Sequence, residues 1–547
     1  MAAQPSAPSV PAAPGAPAAP AAPVPKSAQS ASSAPGTPQP LHGTALALGT
    51  FGLSLATFMN VLDSSIANVS LPAISGDLGV SPNQGVWVIT SFAVANAISV
   101  PLTGWLTQRI GTVRLFTSSV LLFTIASWLC GLAPSIELLI LFRVIQGAVA
   151  GPMIPLSQTL LLQSYPKAKA GMALAVWSMT VLVAPVLGPL LGGWITDNIS
   201  WPWIFYINVP VGLFAAGLTW SIYRDRESPT RKLPIDVVGL ALLVVWVGAL
   251  QIMLDKGREL DWFNSNQIVA LAVVSAVAFV VFLVWELTEE HPVVDLTLFK
   301  GRNFWTGTLA ISVGYGLFFG NVVMLPLWLQ LYMGYTATTA GWVLAPVGVL
   351  AILCMPFVGK SVATTDPRRL STVAFVVFAL VLWMRSLFNT QADIETILIP
   401  TVIQGIGTAF FFVPLVALTL SGLEPDRIPA ATGLSNFVRI TAGAMGTSIT
   451  TTLWDSRNAL HHVQLTEQIG NATGVAAADT LAKLRAMGLG DDQIAAFVNQ
   501  LVDQQAAMLG ANDIFFGSAV LFLLMIGLVW LARPGKPGAS ADAGAAH

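Results

Sequence analysis

Residues 144–158 read VIQGAVAGPMIPLSQ and residues 402–416 read VIQGIGTAFFFVPLV. Both open on the same four letters, and both carry a Pro-Leu pair further on. Each copy lies in an apolar block long enough to cross a bilayer, which takes ~20 residues at ~1.5 Å of rise each. A span-length window places such blocks at 44–72, 83–106, 113–133, 136–163, 170–196, 203–223, 234–254, 267–286, 303–333, 338–359, 371–388, 394–420, 430–455 and 511–532. The VIQG copies fall in the fourth and twelfth. Two six-helix halves separated by two extra helices produce that displacement. The expectation is an all-α membrane protein of fourteen spans, built from a duplicated bundle.

Composition agrees with the membrane reading. The chain is 54% hydrophobic and 10% charged, against about 25% charged for soluble domains. The net charge of -2 argues against a nucleic-acid partner, and Cys130 and Cys354 both lie inside apolar blocks, so neither a disulfide nor a zinc site is indicated. Residues 1–42 hold eleven prolines and no apolar core. They read as a disordered Ala/Pro-rich tail, not a cleaved signal. The expected organisation is this tail, an N-terminal bundle over 43–223, two linker spans within 224–302, a C-terminal bundle over 303–532 and a tail over 533–547. A long loop at 456–510 interrupts the second bundle, and Pro326 is a natural kink in the block 303–333.

The charges between blocks set the orientation. Seventeen Lys and Arg fall on the side of the chain ends and six on the other: Lys256, Arg258, Arg385, Arg457, Lys483 and Arg485. Basic residues mark the cytoplasmic side, so both termini are expected there and the loop 456–510 outside.

Within the spans this reading finds three charges: Asp63, Arg143 and Arg439. Such residues are costly in hydrocarbon and face a bundle interior. From the rise per residue, Asp63 lies ~13 Å and Arg143 ~10 Å below the outer ends of their helices. They are level. Asn60, Ser64 and Asn68 form a polar stripe beside Asp63, and Gln146 joins them from the repeat. Either Asp63 carries a proton with Arg143 setting how readily it does so, or the two form a structural ion pair.

Five stretches in order resemble the major facilitator superfamily, and within it the fourteen-helix drug:proton antiporter branch of EmrB/QacA type. They are LDSSIANVSLPAI at 62–74, GWLTQRIGTVRLF at 104–116, LILFRVIQGAVAG at 139–151, APVLGPLLGGWITD at 184–197 and WPWIFYINVPVG at 201–212. In the second, Gly104 and Gly111 permit a tight reversal, and Arg109 and Arg114 reach toward headgroups or helix ends. Gln108 stands where the family pattern has an acid. In the fourth, Gly188, Gly192 and Gly193 present a small face for a neighbouring helix, while Pro185 and Pro189 loosen the backbone. The resemblance implies a proton-coupled exporter of hydrophobic compounds in a bacterial inner membrane. It also implies no cofactor beyond the proton gradient, and a periplasmic adaptor with an outer-membrane channel as partners. A dedicated exporter of one metabolite, a siderophore or lipid precursor, is the alternative.

Other signals carry less. VGKSVAT at 358–364 ends like a phosphate loop but lacks the leading glycine. His461, His462 and Glu467 lack the further ligands that zinc requires. A membrane enzyme would need a convergent nucleophile and base, whereas the histidines lie scattered in tails and loops. Ile494, Phe497, Val498, Leu501 and Val502 give the outer loop an apolar helical face suited to a partner or to the bilayer surface.

Overall fold

The structure, a computed structural model, describes residues 40–534 except 81, 86, 167–168, 232–233, 235, 291, 336, 425–426 and 471–489. Every long element is a helix. In chain order they are α1 (Gly43–Asp77), α2 (Trp87–Ser99 then Thr103–Ile110), α3 (Thr112–Gly131), α4 (Ile136–Ala150 then Met153–Ser164), α5 (Ala170–Asn198) and α6 (Trp203–Tyr206 then Asn208–Tyr223). α7 (Val237–Lys256) and α8 (Asn266–Thr288) follow. The remainder are α9 (Arg302–Leu331), α10 (Ala337–Thr364), α11 (Pro367–Arg385), α12 (Ile394–Leu420), α13 (Ile428–Gly470) and α14 (Asp491–Trp530).

Among the described residues, eleven helices are long and apolar enough to cross a membrane, or twelve if the bent pair in α2 is one span. This is a multi-pass membrane protein. The two halves of α2 meet at 63° around Pro101, where the ring removes a backbone donor. Gly151 and Pro152 interrupt α4 too, but its two parts continue as one span. α9 continues through Pro326 as one helix.

Two aromatic-rich cores organise the packing. Phe116, Phe123, Leu53, Leu156 and Tyr223 bring α1, α3, α4 and α6 together. Phe318, Phe375, Phe378, Phe411, Phe515 and Phe522 do the same for α9, α11, α12 and α14. Between them stands α7, whose Trp246 meets Phe279, Phe282 and Phe437 at 4.9, 6.0 and 5.7 Å between ring centroids. The linker pair is thus packed into the molecule through α2 and α13, with Thr90 donating to Asp255 at 2.6 Å.

The expected loop at 456–510 is instead largely helix. α13 runs on to Gly470 and α14 begins at Asp491, leaving only 471–489 outside the described residues. The two extensions are joined by polar pairs: His461 with Asp513 at 2.9 Å and His462 with Asp503 at 3.2 Å. Trp454 Nε1 donates to the Ala507 carbonyl at 2.9 Å below them. Hydropathy sees only where such a helix is greasy, so the polar continuation looked like a loop. Ile494 and Val502 turn inward, while Phe497 and Leu501 remain 45% and 49% exposed.

Candidate functional site

Asp63 sits on α1 with no solvent exposure, and three side chains converge on its carboxylate. Arg143 Nη1 donates to Oδ2 at 2.6 Å, Gln146 Nε2 to Oδ1 at 3.1 Å and Asn208 Nδ2 to Oδ1 at 2.7 Å. One turn of α4 separates Arg143 and Gln146, so both point the same way, and Arg143 Nη1 also donates to Gln146 Oε1 at 2.8 Å. The guanidinium is otherwise held by the Val88 carbonyl at 3.0 Å and by the Phe92 ring, 4.2 Å from its carbon to the ring centroid. Asn208, at the start of the second part of α6, donates as well to Ser127 on α3 at 3.0 Å. Four helices therefore fix one carboxylate. In so dry a place, losing one partner of an ion pair costs about 3–5 kcal/mol, because the other charge is stranded.

The neighbouring polar residues divide. Asn60 donates to the Ala150 carbonyl at 3.2 Å, tying α1 to the break in α4. Ser64 returns a bond to the Asn60 carbonyl of its own helix at 3.1 Å. Neither is bonded to Asp63. Arg439 lies apart, 3% exposed, on α13. It donates to Asn436 at 2.6 Å and stacks over Tyr315 at 4.7 Å. The side chains of Asn68, Pro185 and Pro189 lie outside the described residues.

The motif glycines sit at close approaches. A Cβ at Gly192 would meet the Ile66 side chain at 2.8 Å and its carbonyl at 2.9 Å, so α5 lies directly on α1 one turn from Asp63. Gly188 meets Ser65 in the same way, and Gly193 is half-buried beside them. Gly104 faces Ala430 of α13, where a Cβ would come within 2.7 Å. At that same end Gly359 of α10 approaches the Gly171 carbonyl, and Thr159 meets Thr432 at 3.2 Å. These contacts lie toward the end of the molecule where α1 begins. Gly111 takes a φ of 98°, a conformation that glycine adopts without strain.

Besides Asn208, three side chains have burial or contacts that the sequence did not assign to them. Glu227, after α6, accepts from the backbone N–H groups of Val113 and Arg114 at 2.9 Å each and pairs with the Arg114 side chain at 3.9 Å. Arg109 lies over the Trp105 ring. Arg385, counted as a loop charge, is 1% exposed at the end of α11. Glu286 is 4% exposed near the end of α8. Both stand where an apolar run meets polar residues, a position that sequence alone assigns to the surface.

A multi-pass helical molecule with a buried acid–base cluster and close glycine contacts between its helices fits the architecture of a membrane transporter. The profile of the Major Facilitator Superfamily matches residues 53–447, and this chain belongs to that family. It is 52% identical to the multidrug export protein EmrB of Escherichia coli K12 over 510 residues, 93% of this chain and 99% of that protein. It is 49% identical to the fatty acid resistance protein FarB of Neisseria gonorrhoeae over 495 residues, 90% of this chain and 97% of that one. The solved proton:xylose symporter XylE shares the fold at a TM-score of 0.54 and 14% identity, covering 90% of this chain and 97% of that one. Family membership makes the chain a secondary active transporter. Among the described residues no group of three or more His, Cys, Asp or Glu could hold a metal ion.

Proposed function

We propose that this chain exports hydrophobic compounds across the bacterial inner membrane in exchange for protons, with Asp63 as the proton carrier. The observation that carries the reading is the convergence of Arg143, Gln146 and Asn208 on one wholly buried carboxylate. A proton arriving at Oδ2 displaces the guanidinium as an acceptor's partner and removes the charge that held α4 to α1. Arg143 keeps its bonds to Gln146 and Val88, so the cluster loosens without scattering. The glycine contacts of α5 on α1 then let the helices slide, and the end where α1 begins opens. Leaving the proton inside restores the pair. A potential of about 150 mV supplies roughly 3.5 kcal/mol per proton, comparable to the cost of parting the pair.

The VIQG repeat supports fourteen spans in two six-helix bundles, 43–223 and 303–532, around the linker pair, and the loop charges support cytoplasmic termini. Similarity to proteins named for multidrug export and fatty acid resistance supports hydrophobic cargo. The buried guanidinium of Arg439, which lines a cavity, suits neutral or weakly acidic cargo better than dications. A periplasmic adaptor and outer-membrane channel complete the proposed path, docking at the protruding α13–α14 pair. Proteoliposomes with an imposed pH gradient test the reading: a hydrophobic dye should accumulate and an uncoupler should release it. Movement that depends on ATP would overturn it.

A further inference from the structure

The register that aligns Val144 with Val402 also aligns Asp63 with Asn321, Ser127 with Arg385, Arg143 with Thr401 and Gln146 with Gln404. These positions meet in the second half much as they do in the first. Arg385 Nη2 donates to Gln404 Oε1 at 2.6 Å and to Thr401 Oγ1 at 3.3 Å. Asn321 Nδ2 donates to Ser518 on α14 at 3.1 Å, the counterpart of the bond between Asn208 on α6 and Asp63. The second half has kept the guanidinium, moved from α4 to the α11 position, and the glutamine. Its carboxylate has become an amide.

The result is a buried cation without a counter-charge. Arg385 is 1% exposed, its Nε has no hydrogen-bond partner, and among the described residues no carboxylate pairs with it. Asn321 is 2% exposed, with Oδ1 lacking a donor. A small cavity is lined by Asn321 and Gln404, with Phe318, Phe378 and Leu382 around them; Arg385 is not in its wall but bonds to Gln404, which is. Leu382 is one turn from Arg385 on α11. An unpaired guanidinium in such surroundings is strongly unfavourable, and compensation restores the balance.

We propose that this cavity binds one monovalent anion, which stands in the second half where the Asp63 carboxylate stands in the first. One guanidinium matches one negative charge, and the apolar lining favours an ion of weak hydration: a halide, or the carboxylate end of an amphipathic molecule. Asn321 Oδ1 accepts from the water that accompanies it. The site would neutralise the second half permanently while the first half alternates, so that only one of the two repeats responds to protons.

The test uses the purified full-length chain in detergent and reads binding, independent of transport. The unfolding midpoint is followed as chloride replaces gluconate at constant ionic strength. Wild type should show a saturable rise. Asn321→Asp builds the carboxylate into the chain, so its midpoint should start high and ignore chloride; Arg385→Gln should ignore chloride as well. Titrating octanoate against fixed chloride then separates the sources: competition assigns the site to carboxylates and halides together, and an untouched chloride response assigns it to halides alone. A wild-type midpoint indifferent to both anions, or a chloride response surviving unchanged in Asn321→Asp, overturns the proposal. That variant decides the matter even if Arg385→Gln does not fold.

Discussion

Replacing Asp63 by Asn separates what the buried cluster contributes to stability from what it contributes to coupling. The Asn oxygen can still accept from Gln146 and Asn208, which both address Oδ1 in the wild type. Its amide nitrogen then faces Arg143 Nη1, donor to donor, across a gap that was 2.6 Å. The guanidinium is left charged and buried, at a cost of about 3–5 kcal/mol. Asp63→Asn with Arg143→Gln removes both charges and should recover most of that loss, since the two residues form one unit. Neither variant offers a titratable group. In proteoliposomes, a gradient of about two pH units is worth roughly 2.7 kcal/mol per proton, enough for ~100-fold accumulation of a neutral dye. The wild type should approach that ratio for one-for-one exchange, and both variants should only equilibrate the dye. An unfolding midpoint measured beside the flux completes the assay: low for the single variant, near wild type for the double. If Asp63→Asn concentrates dye as the wild type does, Asp63 is one half of a structural pair and the carrier lies elsewhere.

Other sites give independent tests. Glu227→Gln should weaken the start of α3 by about 1 kcal/mol, as loss of a charged cap does, and slow dye efflux while leaving its dependence on pH unchanged; an unaltered rate would show that the contact is passive. Gly359→Leu should prevent α10 from reaching Gly171, abolishing transport while raising the labelling of a cysteine placed at Thr432, and a closed, unlabelled variant would refute the role given to that contact. Phe497→Ser with Leu501→Ser should abolish resistance in cells yet leave vesicle transport intact. Loss in vesicles too would place those side chains in the fold instead.

Hydropathy made most of the membrane-spanning helices legible, because a bilayer imposes a length and a composition that a sequence cannot hide. The level of Asp63 and Arg143 came from the rise of a helix, and the side chains lie 2.6 Å apart. What stayed illegible has physical causes. Asn208 opens a helix after a Trp-rich reversal, and nothing local says it turns inward toward α1. Glu227 acts across more than a hundred residues of chain on the first turn of α3. Arg385 follows an apolar run and precedes SLFNT, a position indistinguishable from a surface cap until α12 is packed against it. The polar extensions of α13 and α14 hold together through His461 and His462 pairing with acids on the other strand of the hairpin. No window along one helix contains such a pair.

The unbroken course of α13 joins distant parts of the molecule mechanically. It begins beside Gly104, where Ala430 touches α2, and continues as a single helix of 43 residues to Gly470. At about 1.5 Å per residue that is a rod of roughly 65 Å, twice the thickness of the hydrocarbon. A tilt of about 10° pivoted near Ala430 therefore sweeps the far tip through roughly 10 Å, while the pivot barely moves. Spin labels at Leu460 and on α6 should report that sweep when the pH gradient is imposed. On the proposed cycle the α13–α14 pair works as a lever: a small rearrangement near its start becomes a large displacement at its tip.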